Sequence, residues 1–244
     1  MRGIVGLIGY GRFGALAARY VAPRADVVVY DRSRRGAPHP GVRRGTLAEA
    51  ASQPLVILAV PISALRGVLR EIAPHVRPGA LVADVCSVKT LPLEWMREEL
   101  PRTVALLGTH PLFGPDSDTG SLRGQRIVIC PSRGARRALA PLRRLARERG
   151  VTLTVMTPSA HDRLMARTLL LTHYVGRLIH GAGLRTRGHS TASYRHLQVV
   201  VETALRDSEQ LFLDMWRFNP QARRVRRALA ASAQRLAART RGHN

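Results

Sequence analysis

The chain has 244 residues, 45% of them hydrophobic, which is enough to build two packed domains and too apolar for a disordered chain. Its net charge is +23, and Lys89 is the single lysine among 39 basic residues. The arginines recur along most of the chain and aromatics are only 5%, so they read as solvated faces that favour anionic ligands, with a non-catalytic, nucleotide-sensing nucleic-acid-binding protein as the distant alternative.

The chain enters an apolar run at Ile4, which predicts no separate signal segment before it. Short β-branched-rich runs follow at Ile4–Ile8, Val27–Tyr30, Leu55–Val60, Leu81–Val85, Val104–Leu107, Ile127–Cys130 and Val151–Val155. They end at Gly, Pro, Asp or Ser, as buried strands do. Helical spacing fills Phe13–Val21, Ser63–Ala73 and Ala135–Arg149 between them. The alternation predicts an α/β, Rossmann-type domain with a mostly parallel sheet over residues 1–157. Cys86 and Cys130 sit far apart near the ends of apolar runs, with no metal-ligand spacing. They read as reduced thiols of a cytoplasmic protein, and no metal site is expected.

From Pro158 the spacing turns helical, predicting an all-helical C-terminal domain over residues 158–244. One helix starts near Ser159 and Asp162 and runs through Ile179, a second covers Thr191–Arg217, and a third starts at Pro220 and reaches Arg239. The segment Arg185–His189 reads as a loop. Apolar stripes at Leu169–Leu171 and Val199–Val201 require cover from the first domain or a second subunit. No stretch of 18 apolar residues occurs, so no membrane span is expected.

Gly9-Tyr10-Gly11-Arg12-Phe13-Gly14 follows the first strand and opens a helix, the setting a GxGxxG dinucleotide fingerprint requires. Gly9 permits the tight turn, Gly11 lets a pyrophosphate approach the backbone, and Gly14 lets helix and strand pack closely. Asp31 ends the second strand, placed to accept a hydrogen bond from a ribose 2′-hydroxyl and to repel a 2′-phosphate. NAD is therefore the expected cofactor. Arg32, Arg34 and Arg35 make NADP the alternative. Val60 and Pro61 lie where the third strand leads into its helix, on the same side of the fold.

Two further segments, Asp84–Lys89 and Thr109–Asp116, are expected as loops after parallel strands, at the sheet edge where ligands bind. They bring a hydroxyl, an ammonium and an imidazole together. Here the sequence resembles the prephenate dehydrogenase family, including its arogenate and 4-amino-4-deoxyprephenate members. Five pieces carry the resemblance: Gly9–Gly14, the D-x-x-S-x-K of Asp84–Lys89, the H-P-x-F-G-P of His110–Pro115, His161-Asp162 with His173, and Tyr194-Arg195. The resemblance implies oxidation of a cyclohexadienyl dicarboxylate with loss of CO2, and a homodimer through the helical domain. It implies that His110 is the catalytic histidine, neutral when active, and that Ser87 hydrogen-bonds both that histidine and the substrate hydroxyl. It also implies that Arg195, beside Tyr194, pairs with a substrate carboxylate, and that His173 faces the cleft. Read by themselves, Ser87 is also an N-cap candidate, Lys89 a first-turn surface residue, His173 a buried structural histidine, and His161-Asp162 a helix start. Hydroxyacid dehydrogenases join similar domains but use a lysine in the helical part, and no lysine follows residue 89.

Overall fold

The computed structural model describes residues 3–33, 38–183 and 190–241. Arg34, Arg35 and the segment Arg185–His189 lie outside the described residues. The chain divides into two compact units, Met1–His161 and Asp162–Asn244.

The first unit is built on one eight-stranded sheet in the order β3-β2-β1-β4-β5-β6-β7-β8. The strands are β1 (Gly3–Ile8), β2 (Ala25–Tyr30), β3 (Val42–Arg44), β4 (Leu55–Leu58), β5 (Leu81–Asp84), β6 (Ala105–Pro111), β7 (Arg126–Pro131) and β8 (Thr152–Val155). All neighbours run parallel except β6 and β7. Val27, Val28 and Val29 in β2 are all buried, which a strand covered on both faces demands. Every strand expected from the sequence is present, and β3 is added. A correction falls on residues 109–111: they continue β6 rather than forming a loop, and His110 is the register partner of Val128 in β7.

Chain order reverses between β1 and β4, the crevice where such sheets bind ligands. Helices α1 (Arg12–Val21), α2 (Leu47–Ala51), α3 (Ile62–Ile72), α4 (Thr90–Glu99) and α5 (Leu139–Glu148) connect the strands. The short α2 is held by a reciprocal cap, with Glu49 N–H donating to Thr46 Oγ1 at 3.2 Å and Thr46 N–H to Glu49 Oε2 at 2.7 Å. It packs on β1 so closely that a Cβ on Gly6 would lie 1.8 Å from the Ala50 carbonyl oxygen.

Helix α6 (Pro158–Arg167) has its first turn fixed by Thr157, whose Oγ1 accepts from Ala160 N–H at 3.2 Å, rather than by Ser159. The remaining helices are α7 (Leu169–Gly181), α8 (Ala192–Arg206), α9 (Glu209–Phe218) and α10 (Ala222–Thr240). Two long helices read from the sequence are thus each broken. The first breaks at Thr168, whose backbone leaves the helical region, and the second at Asp207-Ser208, where the Ser208 hydroxyl caps α9. Leu170 and Leu169 do not form an open stripe, because they pack with Ala166, Met215 and Ala222 in the core of their own unit. Gly176 brings α7 against α8, where a Cβ would sit 2.6 Å from Ala204 Cβ. No helix among the described residues is long and apolar enough to cross a membrane.

The substitution Gly6→Ala forces β1 and α2 apart and is expected to cost about 1–3 kcal/mol, as overpacking does. Urea denaturation checks this, and an unchanged midpoint contradicts it.

Candidate active site

Gly9 follows β1 with φ +97, a backbone state that side chains rarely adopt, and its Cβ would meet the Ala59 carbonyl at 2.3 Å. A Cβ on Gly14 would lie 2.1 Å from the Gly9 oxygen, so only glycine lets α1 leave the turn at this angle. Gly11 has nothing within 4 Å of its Cβ position and is the N-cap of α1, with no side chain bonded to the cap and no acid in the first turn. That leaves an open, electropositive helix start suited to a pyrophosphate. Val60 Cγ1 stands 3.0 Å from the Gly9 Cβ position, and Pro61 begins α3 beside it.

Asp31 lies just past β2. Its Oδ2 accepts from Tyr10 N–H at 2.6 Å, and its Oδ1 accepts from Ser33 N–H at 2.8 Å and Ser33 Oγ at 2.6 Å. Burial opposes the charged form, but the bonds from Ser33 and Tyr10 outweigh it and hold the carboxyl below its usual range. An ionised acceptor is therefore presented beside the fingerprint. The Tyr10 ring packs on the core under β1 and β2, and its hydroxyl accepts from His39 N–H at 2.8 Å. Phe13 is half-buried on α1, and Arg32 is exposed. Arg12 pairs with Asp116 at 2.6 Å, and Arg19 and Tyr20 both bond Asp118, so the segment after β6 is tied down along α1.

At the ends of β5 and β6 the sequence expectation is corrected twice. Lys89 is not a surface residue: it is fully buried, and its ammonium bonds Asp84 Oδ1. Room for its stem comes from Gly108 in β6, where a Cβ would sit 3.0 Å from Lys89 Cδ. The same Asp84 oxygen accepts from Cys86 N–H at 2.9 Å, and Thr109 Oγ1 donates to the Asp84 carbonyl at 2.6 Å. Ser87 is neither the cap of α4, a position held by Lys89, nor bonded to His110. Its Oγ is buried without a hydrogen-bond partner among the described residues. A buried hydroxyl in that condition suits a bound polar group.

His110 is buried, and its Nδ1 lies 2.9 Å from Nε2 of His161, the rings meeting edge to face. The sequence offers His161 as a helix start and as part of the family resemblance, with no role beside His110. The signal that could have singled it out is a histidine in the first turn of the helix that follows the last strand of the sheet. Burial first, then His161 and Lys89, push the His110 pKa well below 6.5, so the ring is neutral around pH 7.

In the second unit, His173 on α7 is buried with Nε2 3.3 Å from Asp207 Oδ2, and its Nδ1 has no partner among the described residues. Tyr194 and Arg195 lie in the first turn of α8, capped by the Thr191 hydroxyl. Arg195 is exposed, with Nη1 donating to the Ser190 carbonyl at 3.0 Å.

A doubly wound sheet with a glycine turn at its switch point and an ionised Asp after β2 defines a dinucleotide-binding α/β protein. The chain belongs to the prephenate dehydrogenase nucleotide-binding domain family, whose model matches residues 15–155. It is 30% identical over 181 residues to a probable arogenate/prephenate dehydrogenase of Methanocaldococcus jannaschii, covering 70% of this chain and 40% of that protein. It is 27% identical over 231 residues to arogenate dehydrogenase 2, chloroplastic, of Arabidopsis thaliana, covering 89% of this chain and 64% of that protein. The chain thus spans less than two thirds of either relative. The crystal structure of prephenate dehydrogenase from A. aeolicus with hydroxyphenyl propionate and NAD+ shares the fold, with a TM-score of 0.75 at 16% identity over 100% of this chain and 93% of that one.

Replacing Lys89 with Met strands the Asp84 carboxylate in the core. The expected loss is about 3–5 kcal/mol, against a smaller loss for the double variant Asp84→Asn, Lys89→Met. Chemical denaturation of both variants checks this, and a single variant as stable as the parent contradicts it.

Proposed function

We propose that this protein catalyses the NAD-dependent oxidative decarboxylation of prephenate, with NADP as the alternative cofactor and with arogenate and 4-amino-4-deoxyprephenate as the competing substrates. The observation that carries this reading is the neutral, buried imidazole of His110, placed at the carboxyl edge of the sheet that holds the glycine turn. Gly9, Tyr10, Gly11, Arg12, Phe13 and Gly14 would hold the dinucleotide, with Asp31 on the adenosine ribose, Arg32 beside it, and Val60 and Pro61 on the far wall. Bound there, NAD supplies the acceptor for the hydride that leaves ring C4. His110 takes the proton of the C4 hydroxyl, and the Ser87 hydroxyl bonds the same oxygen. As the ring carboxylate departs as CO2, its electron pair makes the ring aromatic and the new phenolate oxygen takes the proton back from His110. The imidazole thus ends the cycle as it began, and hydride, proton and charge balance without a further co-reactant. Arg195, with Tyr194 and His173, would fix the substrate carboxylates, a task for which the guanidinium fork is suited.

The reading is tested by NADH formation from prephenate, arogenate and 4-amino-4-deoxyprephenate with each nucleotide. Turnover of prephenate with NAD is expected. His110→Asn should lower kcat about 10²–10⁴-fold while leaving NAD affinity in place. Because protonation inactivates the base, kcat/KM should stay level through neutral pH and fall only well below pH 6.5. No reduction of either nucleotide by any of the three substrates, or an unimpaired His110→Asn variant, would overturn the reading.

We also infer a cytoplasmic setting, which the two buried thiols Cys86 and Cys130 suit, and a homodimer formed through the helical unit. Leu178, Val199, Leu213 and Leu236 support the dimer, each more than half exposed on helices of that unit. Sedimentation equilibrium at micromolar concentration should give twice the chain mass, and a monomer there would rule the dimer out.

A further inference from the structure

We propose that His161 is a positioning residue for His110: its Nε2 accepts the Nδ1–H of His110, fixing the tautomer in which His110 Nε2 carries the lone pair. The proposal rests on the reading of His110 as the base and adds a residue to it. His110 Nδ1 lies 2.9 Å from His161 Nε2, a hydrogen-bond distance at which one nitrogen must donate and the other accept. Both rings are buried, His161 completely, and the pair belongs to one compact unit, so the contact is part of the fold of that unit.

The direction of the bond follows from the chemistry asked of His110. With Nδ1 occupied by His161, Nε2 is the nitrogen left to a ligand. A base must present a lone pair there, so the ring proton has to sit on Nδ1, and His161 has to accept it. The opposite arrangement would leave a proton on Nε2 and make His110 a donor. Burial favours a neutral His110 before reaction, and the Lys89 ammonium nearby, with Asp84 already engaged by it, adds to this. An imidazolium formed in such a site gains most from an acceptor placed in advance, because burial excludes the water that would otherwise orient to it. Since the proton is handed back to the same substrate oxygen, the pair needs no path to solvent, which fits its burial.

Two arms test this. In the wild-type protein without substrate, ¹⁵N NMR of the histidine rings should show His110 protonated at Nδ1 and bare at Nε2, with His161 Nε2 unprotonated. The reverse tautomer overturns the proposal whatever the activity. In turnover, His161→Phe, which keeps bulk but removes the acceptor, should lower kcat about 10–100-fold with little change in KM, part of the 10²–10⁴ that a general base supplies. His161→Gln, whose amide oxygen can still accept, should recover most of that loss. Equal kcat in His161→Phe and wild type overturns the proposal, as does an equal loss in both variants. If the wild type turns over none of the three substrates, the reading of the reaction fails, and the NMR arm alone still decides the tautomer.

Discussion

A single ion pair, Lys89 on Asp84, organises the chemistry-bearing end of the sheet. Both residues are fully buried, a placement that costs several kcal/mol per charge unless each is bonded. Asp84 Oδ1 accepts from the ammonium and from Cys86 N–H, and its backbone carbonyl takes the Thr109 hydroxyl, while Oδ2 is buried without a hydrogen-bond partner among the described residues. The carboxylate therefore ties the segment after β5, which carries Ser87, and the Asp84 carbonyl ties β6, which carries His110, so both are held to one residue. The positive end of the pair also helps keep His110 uncharged. One interaction thus braces the site and adds to the burial and the His161 contact that keep the imidazole neutral.

Around that anchor the sheet separates its tasks. The turn at Gly9 to Gly14 and the bonded carboxylate of Asp31 lie on one side of the switch point, and the buried polar groups of β5 and β6 on the other. Backbone and small residues build the first part, where a phosphate must come close to main-chain N–H groups. Desolvated side chains build the second, where the proposed reaction calls for a proton held at a chosen nitrogen. The segment between β6 and β7 joins the two by pairing Asp116 with Arg12 and Asp118 with Arg19 and Tyr20. The Arg12–Asp116 pair is largely exposed and orients the segment more than it stabilises the fold, whereas the Asp118 carboxylate is mostly shielded from solvent between Arg19 and Tyr20.

Most of the first unit was legible because buried parallel strands are apolar on both faces, and Val27 to Tyr30 or Leu81 to Val85 advertise this without any partner in view. The short strand β3 was hidden, since two of its three residues are arginine and its pairing comes from β2. The helix breaks at Thr168 and Asp207 were also hidden, for neither carries Gly or Pro, and they arise where the chain turns to pack on its neighbours. Within the site, the glycine turn, Asp31, Ser87 and His110 were visible as local motifs. The burial of Lys89 was not, because it depends on Gly108, nineteen positions away on another strand, leaving space for the stem. The contact of His110 with His161 spans 51 positions and is set by the fold alone.

The solitary lysine has a practical corollary. Lys89 holds the one ε-amine in the sequence, and the native fold shields it entirely. Acylating reagents can reach that nitrogen only when the strand ends around it part, so the rate of its modification is a site-resolved clock for local opening of the sheet. Ligands that close over this edge would slow the clock, giving a measure of occupancy that needs no turnover and no engineered label.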